Sequence, residues 1–148
     1  MARLDEKIHK INYIMSEIDN LYRRASAKLG LPDSSMIVLY TICDNEECCE
    51  LKEIYKRSGM SKQTVNSALR RLEQENIITL SNKDGRAKIV SLTEKGIQLT
   101  EKTVRKIYDI EIDIYSEFSG AEIDEYIRLN ERFVTSLKKK IKELETEE

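Results

Sequence analysis

Apolar residues open the chain in a sustained one-sided stripe: Leu4, Ile8, Ile11, Met15, Ile18, Tyr22, Ala25 and Leu29 recur at alternating steps of four and three. That spacing predicts a long amphipathic helix. Gly30-Leu31-Pro32 ends it, because proline lacks an N–H and restricts the residue before it. Asp33 or Ser34 is expected to cap a second helix running to about Cys43, with Asp44–Glu47 a polar loop. A short helix from Leu51 to about Arg57 follows, then Ser58-Gly59-Met60-Ser61, then a helix from Lys62 to about Glu75 with Ser61 as N-cap. Asn76 stands where that helix must end, and Asn tolerates the left-handed backbone common there.

Two β-type runs, Ile77–Leu80 and Lys88–Leu92, flank a polar loop that contains Asp84-Gly85, the pattern of a hairpin. Thr93 is expected to cap one long helix reaching about Phe118. Ser119 and Glu122 form a capping box for a last helix with Ile123, Tyr126, Ile127, Asn130, Phe133, Leu137, Ile141 and Leu144 at helical spacing. The order is helix, helix, helix-turn-helix, hairpin, long helix, long helix, with no internal repeat. The expected fold class is mainly α with a small β-hairpin wing: a winged helix-turn-helix lobe over residues 31–96, plus N- and C-terminal dimerisation helices over 1–30 and 97–148. Dimerisation is expected because the terminal stripes carry more apolar surface than one small lobe can cover. The Val104–Phe118 stretch is also apolar on two sides, with Ile107, Ile110 and Ile114 on one and Val104, Tyr108, Ile112 and Tyr115 on the other.

Composition agrees. A chain of 148 residues suits one domain, and one proline and five glycines among many Glu, Lys, Leu, Ile and Arg favour helix. No apolar run approaches a membrane span, and the start lacks a secretory pattern, so a cytoplasmic protein without a membrane partner is expected. No phosphate-binding glycine loop, nucleophile elbow or metal-ligand cluster is present, so no enzyme activity, cofactor or metal is expected.

Net charge is only −2, but its distribution is uneven: Lys52–Val90 holds nine Lys or Arg against four Asp or Glu. A basic middle between acidic flanks fits a segment that meets phosphates. Within it, Val65, Ala68, Leu69 and Leu72 form the apolar face of the second helix of the helix-turn-helix. Ser61, Lys62, Gln63, Thr64, Asn66, Ser67, Arg70 and Arg71 form its polar face. Such a helix fits the major groove of double-stranded DNA. Gln63 and Asn66 suit adenine edges, while Lys62, Arg70 and Arg71 suit phosphate or guanine. Around the hairpin turn, Asn82, Lys83, Asp84, Arg86 and Lys88 make a cation-bearing tip of the kind that reaches a minor groove, with Asp84 placed to steady the Arg86 guanidinium.

The string Asp84-Gly-Arg86-Ala-Lys-Ile-Val90-Ser-Leu92-Thr93-Glu-Lys-Gly96 resembles the wing pattern of the MarR family of winged helix-turn-helix transcriptional regulators, Asp-x-Arg-x3-Val-x-Leu-Thr-x2-Gly. It follows Ser61–Glu73, which is similar to that family's recognition helix. The motif resemblance covers roughly Leu51 to Gly96. It implies a homodimer with interleaved terminal helices and two lobes addressing a pseudo-palindrome. It further implies Arg86 in the minor groove, and a small-molecule effector pocket between the dimer helices and the lobe. Asn76 stands where the family often has Gly, and Leu80 where it often has Arg.

Two other readings stay open: a winged-helix module that binds protein, and a cysteine-based redox-responsive regulator. Against the second, Cys43 is expected to end a buried helix. Cys48 and Cys49 lie among Glu46, Glu47 and Glu50, which blunt a thiol's reactivity, and as neighbours they point apart. Effector binding near Tyr13, Tyr22, Tyr40 or Tyr108 is compatible with the sequence, but no ligand is named by it.

Overall fold

A computed structural model of the chain describes residues 3–83, 85 and 87–145, without the side chains of Lys83 and Ala87. The elements, in order, are α1 (Leu4–Lys28), α2 (Asp33–Asp44), β1 (Cys48–Glu50), α3 (Leu51–Ser58), α4 (Lys62–Gln74), β2 (Ile78–Lys83), β3 (Ala87–Leu92), α5 (Glu94–Lys102), α6 (Val104–Tyr115) and α7 (Gly120–Glu145). They divide into two compact units, one ending at Ile107 and one beginning at Tyr108.

In the first unit, α2 packs against α3 and α4 over a core of Val38, Leu39, Ile42, Ile54, Val65 and Leu72, all essentially without solvent contact. The sheet closes this core with Ile78 and Val90. Its strand order is β1-β3-β2, antiparallel throughout, with Cys49 opposite Val90 and Leu80 also opposite Val90. The expected stop after α1 is a left-handed Gly30 (φ +81°). There the Leu31 N–H donates to the Ser26 carbonyl at 3.0 Å and the Gly30 N–H to the Ala27 carbonyl at 3.1 Å, which satisfies two orphan carbonyls of the last turn.

The structure corrects the sequence reading at four places. Pro32, not Asp33 or Ser34, occupies the cap position of α2, so Asp33 falls in the first turn, where an acidic residue suits the helix dipole. The segment Cys48–Glu50, between the expected polar loop and the Leu51 helix, is a third strand, entered through Glu46 and Glu47 at φ 58° and 76°. The hairpin strands extend further than expected, to Lys83 and from Ala87, so Asn82 sits in a strand opposite Lys88. The single helix expected from Thr93 to Phe118 is broken at Thr103 (φ −126°, ψ −76°). Both Thr100 and Thr103 turn their hydroxyls back on the helix, to the carbonyls of Ile97 (3.0 Å) and Leu99 (2.8 Å), a bonding mode that bends helices.

In the second unit the capping box forms as expected. The Glu122 N–H donates to Ser119 Oγ at 3.1 Å, and the Ser119 N–H donates to the Glu122 carboxylate at 3.0 Å. These bonds hold the Glu122 carboxyl below the usual range. No residue of α7 is buried. Where α6 runs into α7, a groove of about 670 Å³ opens, its walls including Ile114, Tyr115, Phe118, Ile123, Tyr126 and Leu129.

Candidate nucleic-acid interface

The site is built from the turn that joins α3 to α4. Gly59 in the left-handed region (φ +69°) ends α3. Ser61 then starts α4, its Oγ accepting the Thr64 N–H at 3.2 Å. Four apolar residues spaced along α4 (Val65, Ala68, Leu69 and Leu72) are buried and fix the helix to the lobe. All eight polar residues expected on the opposite face are exposed. No acidic residue lies in the first turn, and among the described residues no carboxylate pairs with Arg70 or Arg71. The Ser61 and Thr64 hydroxyls are engaged with each other, 2.9 Å apart within the cap.

One contributor was missed. Tyr55 on α3 donates its hydroxyl to Asn66 Oδ1 at 2.5 Å, and the Lys62 ammonium sits 5.4 Å from the Tyr55 ring centroid. In the sequence, Leu51, Ile54 and Tyr55 read as one helical apolar face. The phenol's polar end gave the only signal of a different role.

The Leu92-Thr93-x2-Gly96 part of the wing string has a structural task. Asn76 adopts φ 60°, and the Ile77 N–H reaches the Leu72 carbonyl at 2.9 Å, ending α4 as expected. Thr93 caps α5 by accepting the Gly96 N–H at 3.0 Å, and its hydroxyl lies 2.6 Å from the Asn76 carbonyl, to which it donates. A Cβ on Gly96 would come within 2.1 Å of the Ile77 carbonyl oxygen, so only glycine fits. Lys95 Nζ donates to the Glu75 carbonyl at 2.9 Å. The start of α5 is thereby tied to the end of α4, and β3 between them carries the wing. Asn82 and Lys88 are exposed on the hairpin. Asp84 and Arg86, and the side chain of Lys83, lie outside the described residues; Gly85 between them is left-handed at φ +74°.

The thiols differ in setting. Cys49 is buried, which together with Cys48 and Glu53 pushes its pKa up to about 11. Burial also raises the half-buried Cys43, more than the Thr100 hydroxyl lowers it. Cys48 is exposed, so the two neighbours do point apart. Of the tyrosines considered for an effector, Tyr13 and Tyr22 are exposed and Tyr40 and Tyr108 half-buried. The aromatic residues that do line a groove are Tyr115, Phe118 and Tyr126. No helix of the described residues is long and apolar enough to cross a membrane.

A helix-turn-helix followed by an antiparallel hairpin, with the polar face of its second helix open to solvent, defines a winged helix-turn-helix lobe. Residues 29–87 match the model of the MarR family, and the chain has the MarR-family transcriptional-regulator fold. A MarR family regulator from Neisseria meningitidis superposes with a TM-score of 0.79 at 21% identity, over 97% of this chain and 99% of that one. The S. aureus MepR–DNA complex gives 0.66 at 22% identity, over 87% and 96%. Bordetella bronchiseptica BpsR, whose DNA binding is regulated by 6-hydroxynicotinic acid, gives 0.65 at 19%, over 90% and 98%. No curated protein matches the sequence.

Proposed function

We propose that the protein is a cytoplasmic, sequence-specific transcriptional regulator that binds a pseudo-palindromic operator as a homodimer, represses by occlusion, is released by a small-molecule effector, and catalyses no reaction. The observation that carries this reading is the polar face of α4. From Lys62 to Arg71 it is solvent-exposed, free of acidic residues, and held to the lobe by a fully buried apolar face. Cations set on a rigid helix supply the phosphate contacts that position a protein on DNA, and amides such as Gln63 and Asn66 supply base readout. The wing, with Asn82, Lys83, Asp84, Arg86 and Lys88, serves the adjacent minor groove. The DNA and ligand named for MepR and BpsR support the same reading.

In this reading the chain comprises a DNA-binding lobe over 31–96 and dimerisation helices over 1–30 and 97–148. On α1, Leu4, Ile8, Ile11, Met15, Ile18 and Tyr22 are 40–73% exposed, and on α7 eight apolar side chains are 45–66% exposed. A half-exposed Leu, Ile or Phe gains roughly 1 kcal/mol when covered, and a row of them on long helices is the signature of a protein interface. A second copy of the chain supplies matching stripes.

The test is selection of tight-binding duplexes from a random pool, then titration of the winner at two salt concentrations with the stoichiometry measured. Expected is a pseudo-palindrome with half-site centres about 10 bp apart, bound by two chains, with affinity falling steeply as salt rises. No enriched sequence, with weak and salt-insensitive binding, would overturn it in favour of a winged helix that recognises protein.

A further inference from the structure

We propose that Tyr55 is a specificity-positioning residue: its hydroxyl locks the Asn66 side-chain amide so that α4 offers hydrogen-bond donors, rather than a freely turning amide, to one base. The role depends on α4 entering a major groove, as proposed above. Asn66 is exposed on the reading face, while Tyr55 is half-buried on α3 and so held by the lobe. The phenol donates to Asn66 Oδ1 at 2.5 Å, a short bond. The oxygen is thus engaged and both Nδ2 hydrogens are left free.

An unrestrained asparagine can present either end of its amide, and its usual bidentate match to adenine uses the oxygen as acceptor and the nitrogen as donor. With Oδ1 already held, that match is weakened. Guanine, which shows two adjacent acceptors in the major groove, fits the free donors better, and cytosine, which shows only a donor there, is rejected. This revises the adenine preference that residue type alone suggested for Asn66. The Lys62 ammonium over the Tyr55 ring adds a cation–π contact on the same side of α4, one turn before Asn66, and braces the phenol from that side. Fixing the amide before DNA arrives also lowers the entropy lost on binding.

The experiment compares base preferences of the full chain with those of Tyr55→Phe, Asn66→Ala and Asn66→Asp, by selection and competition titration. Asn66→Ala identifies the base position that depends on the amide. At that position the unaltered protein is expected to prefer guanine. Tyr55→Phe is expected to relax discrimination against adenine there by about two- to tenfold, the range of one net hydrogen bond. It keeps the ring under Lys62, so the salt dependence should change little, which a general loss of structure would not allow. Asn66→Asp, which has only acceptors, should shift the preference to cytosine. An unchanged preference in Tyr55→Phe, or a cytosine preference in the unaltered protein, would overturn the role of Tyr55 while leaving a sequence-specific DNA binder. Failure of the unaltered protein to enrich any sequence would remove the DNA-reading function itself.

Discussion

At the scale of single residues, the sharpest constraint is Gly96. Its Cα hydrogen faces the Ile77 carbonyl so closely that a methyl group would sit 2.1 Å from the oxygen, and backbone cannot move aside as a side-chain end could. Gly96→Ala should therefore destabilise the protein by at least about 1–3 kcal/mol, read as a lower denaturant midpoint with an unchanged slope. An unaltered midpoint would mean that the end of α4 and the start of α5 are not coupled as described. Cys48 and Cys49 give a second pair of expectations. Cys48 should be alkylated readily in the folded protein and Cys49 only on unfolding, as peptide mapping would show. The sign of the pH effect follows from burial. The folded Cys49 holds its proton up to about 11, against an ordinary 9.0 for the unfolded thiol. Below the lower value both states are protonated and the group is neutral to stability in its pH dependence. As pH rises through that window the unfolded state alone loses its proton, so stability falls. Cys49→Ala should remove that fall, seen as the difference between the two proteins' denaturant midpoints at rising pH.

At the scale of elements, the proposed function gives α4 and the wing separable tasks. Arg70→Ala or Arg71→Ala should weaken all DNA alike and reduce the salt slope by about one, whereas a loss confined to one base position would make that arginine a base reader. Arg86→Ala should cost about 1–3 kcal/mol in affinity, and unchanged affinity would remove the minor-groove assignment. Much of this was legible beforehand. The stops at Gly30 and Asn76, the caps at Ser61, Thr93 and Ser119, and the buried face of α4 all follow from local chemistry, and local chemistry is what a sequence states most directly. What escaped depended on partners distant in the chain. β1 is three residues long with no β-branched side chain, and it exists because β3 offers it an edge. The break at Thr103 needs two threonine hydroxyls turned inward, which periodicity does not register, since the apolar pattern continues across it. Tyr55 joined Asn66 across eleven positions of sequence through the turn between α3 and α4, and its spacing with Leu51 and Ile54 disguised it as core.

At the scale of the whole molecule, the apolar helices set the terms. A chain that bears an uncharged stripe along α1 and an α7 with no buried residue must cover them or associate indiscriminately. In the proposed dimer, closed twofold pairing would satisfy every copy at once and supply the two α4 helices that a palindromic operator requires. Phe133, at 62% exposure near the middle of α7, is a fitting probe. A charge there costs nothing in an isolated chain but would be buried unpaired in a dimer. Phe133→Glu, alone or with Leu137→Glu, should lower the sedimentation mass from two chains toward one at micromolar concentration. It should also make the melting temperature less dependent on concentration, as expected when folding and association are linked. Affinity for a full palindrome should fall far more than affinity for a half-site, because each lobe remains intact while the effective concentration of its twin is lost. A variant that keeps the mass of two chains would place the dimer contact elsewhere. A parent protein that sediments as one chain would remove the dimer and, with it, the reason to expect a palindrome at all.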